Sequence, residues 1–169
     1  MQSLSLVFRL LALCMLFALA VTDVRSRRLP TKQVLVIGAL FFADALVCHM
    51  PAGDVMVHIA IALVVFALCA VLFALNMLGG GDAKLAAIIF LWAGSAMSLP
   101  AFILISIAGT FVALISLAAR YLRPQSRARL VRGLALFSSA RGVPYGVALA
   151  AGGSAVIALP VLLSVTSVR

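Results

Sequence analysis

Six apolar runs, each close to the length a helix needs to cross a bilayer, divide this chain, and nothing else constrains its fold as strongly. Residues 4–21 form the first, interrupted by Arg9. Residues 34–50 form the second and contain Asp44, and residues 55–75 form the third, with His58 as its ionisable residue. A fourth and a fifth share the uncharged stretch 85–119, and residues 145–165 form the sixth. A spanning helix takes about 20 residues. The shared stretch of 35 residues would measure about 52 Å as one helix, too long for a single ordinary pass. Ser98, Leu99 and Pro100 offer the break, because proline disfavours helix in the residue before it. Hydrophobic residues make up 66% of the chain and charged residues 10%. A water-soluble fold could not hide that much apolar surface, whereas a bilayer removes the need. The expected fold is an all-α, polytopic membrane bundle of about six transmembrane helices, forming one membrane-embedded domain over residues 1–169.

Charge orients the bundle. Of 13 Lys and Arg, all but Arg9 and Arg169 fall in segments 22–33, 76–84 and 120–143. With six spans these three loops face one side, and cationic loops stay cytoplasmic. Both termini then lie on the outer, periplasmic side of a bacterial inner membrane. Five spans would send the arginine-rich third loop outward. The net charge of +9 therefore reads as membrane orientation. Nucleic acid is not an expected partner, since no basic stripe alternates with aromatics on a soluble element. Ala18-Leu19-Ala20 resembles a signal-peptide cleavage site, but the four cations that follow Thr22 oppose export. Within 120–143, Arg127, Arg129 and Arg132 alternate with Leu130, Val131, Leu134 and Leu136. That pattern fits an interfacial amphipathic helix or a solvated basic loop.

The acidic inventory is short. The chain has no Glu and four Asp: Asp23, Asp44, Asp54 and Asp82. Asp23 follows the first span and Asp82 precedes the fourth, so span counting alone places both at the same cytoplasmic membrane edge, 59 positions apart in sequence. Two carboxylates brought close cannot both ionise cheaply, so one holds a proton and the other does not. That pairing suits aspartyl proteolysis. A second reading stays open on spacing alone: Gly79-Gly80-Gly81 ends the third helix and Asp82 caps the fourth. Lys84 either tunes Asp82 or snorkels to the interface. Asp44 sits deep in its run, toward the outer half, and is expected to be protonated or bonded within the bundle. Asp54 reads as a solvated cap. Cys14, Cys48, Cys69, His49 and His58 lack metal-ligand or disulfide spacing, so neither a metal nor a cofactor is expected.

Around the two aspartates the sequence resembles a known family. Gly79-Gly80-Gly81-Asp82 fits the GxGD signature of membrane aspartyl proteases, and with Ala83 and Lys84 it resembles the GxGDxK form of type IV prepilin peptidases. The stretch from Asp23 through Leu29, Pro30 and Thr31 is similar to that family's D-x-x-x-x-x-I-P-N, with Leu for Ile and Thr for Asn. Pro144-Tyr145-Gly146 resembles the P-[YF]-G segment that opens its last helix. The resemblance implies an endopeptidase at the cytoplasmic face that removes the basic leader of prepilin-like membrane proteins, cutting after a glycine. Asp23 and Asp82 would be its catalytic pair, with Gly79, Gly81 and Lys84 in support. The chain looks like the short form serving tight-adherence (Flp-type) pili, without the paired CxxC domain of the larger enzymes, and product N-methylation is not carried over. Two other function classes suit the residues: a small transporter or proton pathway through Asp44, Asp23 and Asp82, and a structural subunit of a pilus assembly machine. A relay needs ionisable groups at several depths, and the second run offers none between Asp44 and the cytoplasmic edge.

Overall fold

In a computed structural model, residues 2–26, 29–121 and 145–166 are described, and they are helical with no strand among them. The elements are α1 (Gln2–Ser26), α2 (Thr31–Val47), α3 (Ala52–Ala74), α4 (Gly80–Tyr121) and α5 (Tyr145–Thr166). Three helical segments are long and apolar enough to cross a membrane: Ser3–Ser26, Ala52–Ala74 and Gly80–Ala118. Tyr145–Pro160 is a shorter apolar helix. The expected amphipathic segment around Arg127–Leu136 lies outside the described residues, as do Arg27 and Arg28.

The helices overrun the apolar runs at the edge that carries the aspartates. α1 continues to Ser26, where the hydroxyls of Thr22 and Ser26 donate to the carbonyls of Ala18 and Thr22, both at 2.8 Å. Asp23 therefore sits on a helix rather than in a loop. At the other end of the run, α2 closes with a Schellman arrangement. The His49 and Met50 N–H groups donate to the Leu46 and Ala45 carbonyls, with His49 at φ 53°. α3 closes in the same way through Asn76 at φ 57°, whose N–H donates to Phe73, while that of Met77 donates to Leu72. These bonds satisfy the carbonyls a helix end leaves over. They also correct one reading of the glycine run: α3 ends before it, and Gly80–Gly81 open α4. Asp54 is exposed in the first turn of α3, whose N-cap is Pro51 without a side-chain cap bond. It is thus a first-turn acid facing the helix dipole and not the cap itself.

α4 bends at Gly94, at φ 56° and ψ −162°, and Pro100 lies inside its second limb. The bend thus falls four to six residues before the break expected at Ser98-Leu99-Pro100. Only glycine takes that backbone conformation cheaply, and a Cβ at position 94 would collide with the His58 ring. His58 Nδ1 lies 2.7 Å from the Leu91 carbonyl. A carbonyl can only accept, so Nδ1 carries the proton and closes a backbone bond at the bend. The same ring stacks on Phe41 at 5.2 Å, Phe41 meets Trp92 edge-on, and Trp92 Nε1 donates to the Ile37 carbonyl at 3.1 Å. One polar aromatic knot thus ties α2 and α3 to the bend in α4.

α4 packs against α5, α3 and α2, and α1 packs against α5 and α2. The core joins Ala12, Leu16 and Leu19 of α1 to Val34 and Ile37 of α2, Leu85 and Ile89 of α4, and Leu149 and Ile157 of α5. α5 approaches α4 closely at Gly152, where a Cβ would meet the Ile105 backbone nitrogen at 3.2 Å. Small residues at such crossings are how helices gain contact in lipid. α3 buries no residue fully, and its large exposed apolar side chains, such as Leu63, Phe66 and Leu68, form the surface a bilayer covers. Gly94→Ala is expected to cost about 1–3 kcal/mol from the positive-φ extended backbone alone. It should lower the unfolding midpoint in detergent micelles, whereas Pro100→Ala should leave the bend in place, as read by spin-label distances across α4.

Candidate active site

A cleft of about 610 Å³ opens where the end of α1, the α1–α2 link and the start of α4 converge. The end of α1 supplies Thr22, Asp23 and Ser26, the α1–α2 link supplies Leu29 and Pro30, and Gly79 lines it together with Gly80, Gly81 and Asp82 of the first turn of α4. Asp23 and Asp82 thus line one cavity, close enough for the charge of Asp23 to act on Asp82. Asp23 is 6% exposed and Asp82 is partly exposed. The end of α3 approaches this corner through Phe73, whose ring lies 3.2 Å from where a Gly80 Cβ would stand.

Asp82 occupies the third position of α4. Its carboxylate accepts the backbone N–H of Gly79, and the Ala83 N–H donates to the Gly79 carbonyl at 3.1 Å. This is the reach-back half of a capping box. It holds the carboxylate against the start of its own helix, so capping and cleft-lining are compatible roles of one side chain.

Each glycine of the site has a neighbour where its side chain would be. A Cβ on Gly79 would lie 2.7 Å from Asp82 Oδ2, and one on Gly81 would lie 2.9 Å from Leu29 Cβ. A Cβ on Gly80 would stand 3.2 Å from the Phe73 ring. At the opening of α5, a Cβ on Gly146 would lie 2.8 Å from Asp23 Oδ2 and 2.9 Å from its Cγ. Glycine at 146 lets α5 begin directly against the first aspartate. The sequence marked Tyr145-Gly146 only by resemblance, and its partner became visible in the fold. Lys84 is exposed, and its ammonium donates to Thr31 Oγ1 at 3.2 Å. It links the first turns of α4 and α2 at the rim, and it does not line the cleft.

Asp44 stands apart from this cleft. Its Oδ2 takes Arg9 Nη2 at 3.0 Å and Nε at 3.1 Å, and its Oδ1 takes the Ser5 hydroxyl at 2.5 Å. Of the two states expected for it, the structure shows the one bonded within the bundle, and its partner is the one cation inside the first apolar run.

Two carboxylates facing one wet cleft can share a proton, one accepting from a bound water while the other donates. Among known proteins, a family model described as the type IV leader peptidase family matches residues 10–114. That range contains Asp23, Leu29–Pro30 and the Gly79–Lys84 segment, and it stops before Tyr145. No curated protein and no solved structure matches the chain.

The glycine contacts generate a contrast. Gly146→Ala overpacks against Asp23 and is expected to cost about 1–3 kcal/mol. Gly53→Ala, which would meet nothing within 4 Å, should be neutral or gain up to about 1 kcal/mol of helix propensity. Chemical denaturation of the two variants in micelles checks the difference.

Proposed function

The chain belongs to the type IV leader peptidase family, and from that premise we propose that it is an aspartic prepilin peptidase with Asp23 and Asp82 as its catalytic pair. The observation that carries the reading is the shared cleft: the two aspartates that resemble the family's pair come together from opposite sides of a 59-residue separation. The substrate is a membrane-inserted prepilin whose basic leader reaches the cleft from the cytoplasm. The ionised aspartate takes a proton from water as the water oxygen attacks the carbonyl of the leader's last glycine. The protonated aspartate donates to the developing oxyanion. Collapse of the tetrahedral intermediate then returns a proton to the leaving amine, which becomes the new N-terminus of the pilin. The glycines at 79–81 let the Asp82 carboxylate, the Phe73 ring and Leu29 stand where their own side chains would be, which holds the wall of the cleft together.

The bend at Gly94 splits α4 into residues 80–93, shorter than the about 20 residues of a full span, and residues 95–121, long enough to cross. Run lengths and loop charge support six membrane-embedded helices in a single domain over residues 1–169, with both termini periplasmic in the bacterial inner membrane. The proposed substrate class is the prepilins of tight-adherence (Flp-type) pili. Asp44, which a proton relay would need available, is held by Arg9 and Ser5, and this favours the peptidase over a transporter.

The test is co-expression with a Flp-type prepilin, following precursor mass. Asp23→Asn and Asp82→Asn should each lower processing by about 10²–10⁴-fold, the contribution of a general acid or base, while leaving the protein in the membrane. Processing by both variants at the wild-type rate would remove the dyad. With purified enzyme, kcat/KM should follow a bell in pH. It falls at low pH as both carboxyls protonate and at high pH as both ionise. A single-limbed profile would count against a shared proton.

A further inference from the structure

α1 carries one buried stripe along its length. Ser5, Ala12, Leu16, Leu19 and Asp23 are all buried, and Arg9 lies among them with 23% of its side chain exposed. Ser5 and Asp23 are 18 residues apart, five full turns at 3.6 residues per turn, so they point in the same direction from the axis. That distance is about 27 Å along the helix, close to the roughly 30 Å of a bilayer's hydrocarbon. The stripe is therefore polar at both membrane edges and apolar between them.

The apolar middle does little to decide how α1 is rotated. Lipid tails are as apolar as leucine, so turning the helix exchanges one set of apolar contacts for another. The polar ends do decide it. A carboxylate bonded to Arg9 and Ser5 on one partner helix permits a single rotation, because any other leaves charges in lipid. Cys48 adds a third group to this cluster, its Sγ lying 3.5 Å from Ser5 Oγ.

We infer that the Arg9–Asp44 pair is a positioning device for Asp23, setting the rotation of α1 against α2 and so aiming the carboxylate about 21 Å away along the same helix into the cleft with Asp82. The effect on catalysis rests on the proposed peptidase function, while the effect on Asp23 does not. A hydrogen-bonded helix transmits the rotation, and Gly146 stands where Asp23 arrives. The pair's role is specificity of arrangement: an apolar replacement of a buried ion pair is often neutral for stability, so stability alone would not reveal it.

The experiment uses the full chain in micelles and in membranes. In a background with Cys14→Ala, Cys48→Ser and Cys69→Ala, Asp23→Cys and Gly146→Cys form a disulfide reporter of α1 rotation. A Cβ at 146 would lie 3.1 Å from that of residue 23, within a small adjustment of the roughly 3.5–4.5 Å a disulfide uses. Arg9→Met with Asp44→Leu removes both charges, and its folding is verified by an unchanged unfolding midpoint. This double variant should lower the oxidised yield severalfold. In the otherwise native enzyme it should lower kcat by about tenfold or more with KM unchanged. The swap Arg9→Asp with Asp44→Arg should recover much of both. If the apolar double variant cross-links like the parent, the inference is overturned, whatever happens to kcat. If cross-linking follows the pair while the native enzyme leaves prepilin uncut, the positioning stands and the peptidase reading falls.

Discussion

Lipid gives two apolar helices little reason to prefer each other over their surroundings. Hydrophobic burial, which organises a soluble core, is nearly silent here, and the arrangement depends on the few contacts lipid cannot imitate. These are of two kinds. One is hydrogen bonds and charge pairs between helices: Asp44 with Arg9 and Ser5, His58 with the Leu91 carbonyl, Trp92 with the Ile37 carbonyl, and Lys84 with Thr31. The other is backbone approach at glycine, as at Gly152 against Ile105 and Gly153 against Ile89. Together they join α1 to α2, α2 and α3 to α4, and α5 to α4.

The cleft is built where helices leave the apolar layer. α1 is carried past its hydrophobic run by residues whose hydroxyls bond back to the preceding turn, and α4 starts before its run with a box closed by Asp82 on Gly79. Carboxylates on helix ends are held more rigidly than carboxylates on loops, yet they still reach water. The site needs α1, the α1–α2 link, α4 and α5 at once, because Gly81 rests on Leu29 and Gly146 rests on Asp23. No two neighbouring elements contain it.

Local patterns spoke for some of this and not for the rest. Run lengths and loop charge identify an all-helical membrane protein and place Asp23 and Asp82 at one level, because hydropathy and charge act residue by residue. The glycines beside Asp82 were legible as motif letters, but their neighbours were not. Pro100 looked like the break in the long run, and Gly94 makes it, because the decisive factor is a ring arriving from α3. Arg9 looked like an exception inside its run until α2 supplied Asp44.

The sequence by itself determined the class of fold, which follows from hydropathy along one dimension, and the family, which its motif letters carry. The tertiary structure decided which face of each helix looks inward. It turned Asp23 toward Asp82 and Gly146, paired Arg9 with Asp44, and bent α4 at the residue that could make room for His58. In a medium as apolar as the helices themselves, rotation is set by sparse polar and close-packed contacts between distant residues, and no local stretch of sequence contains both partners.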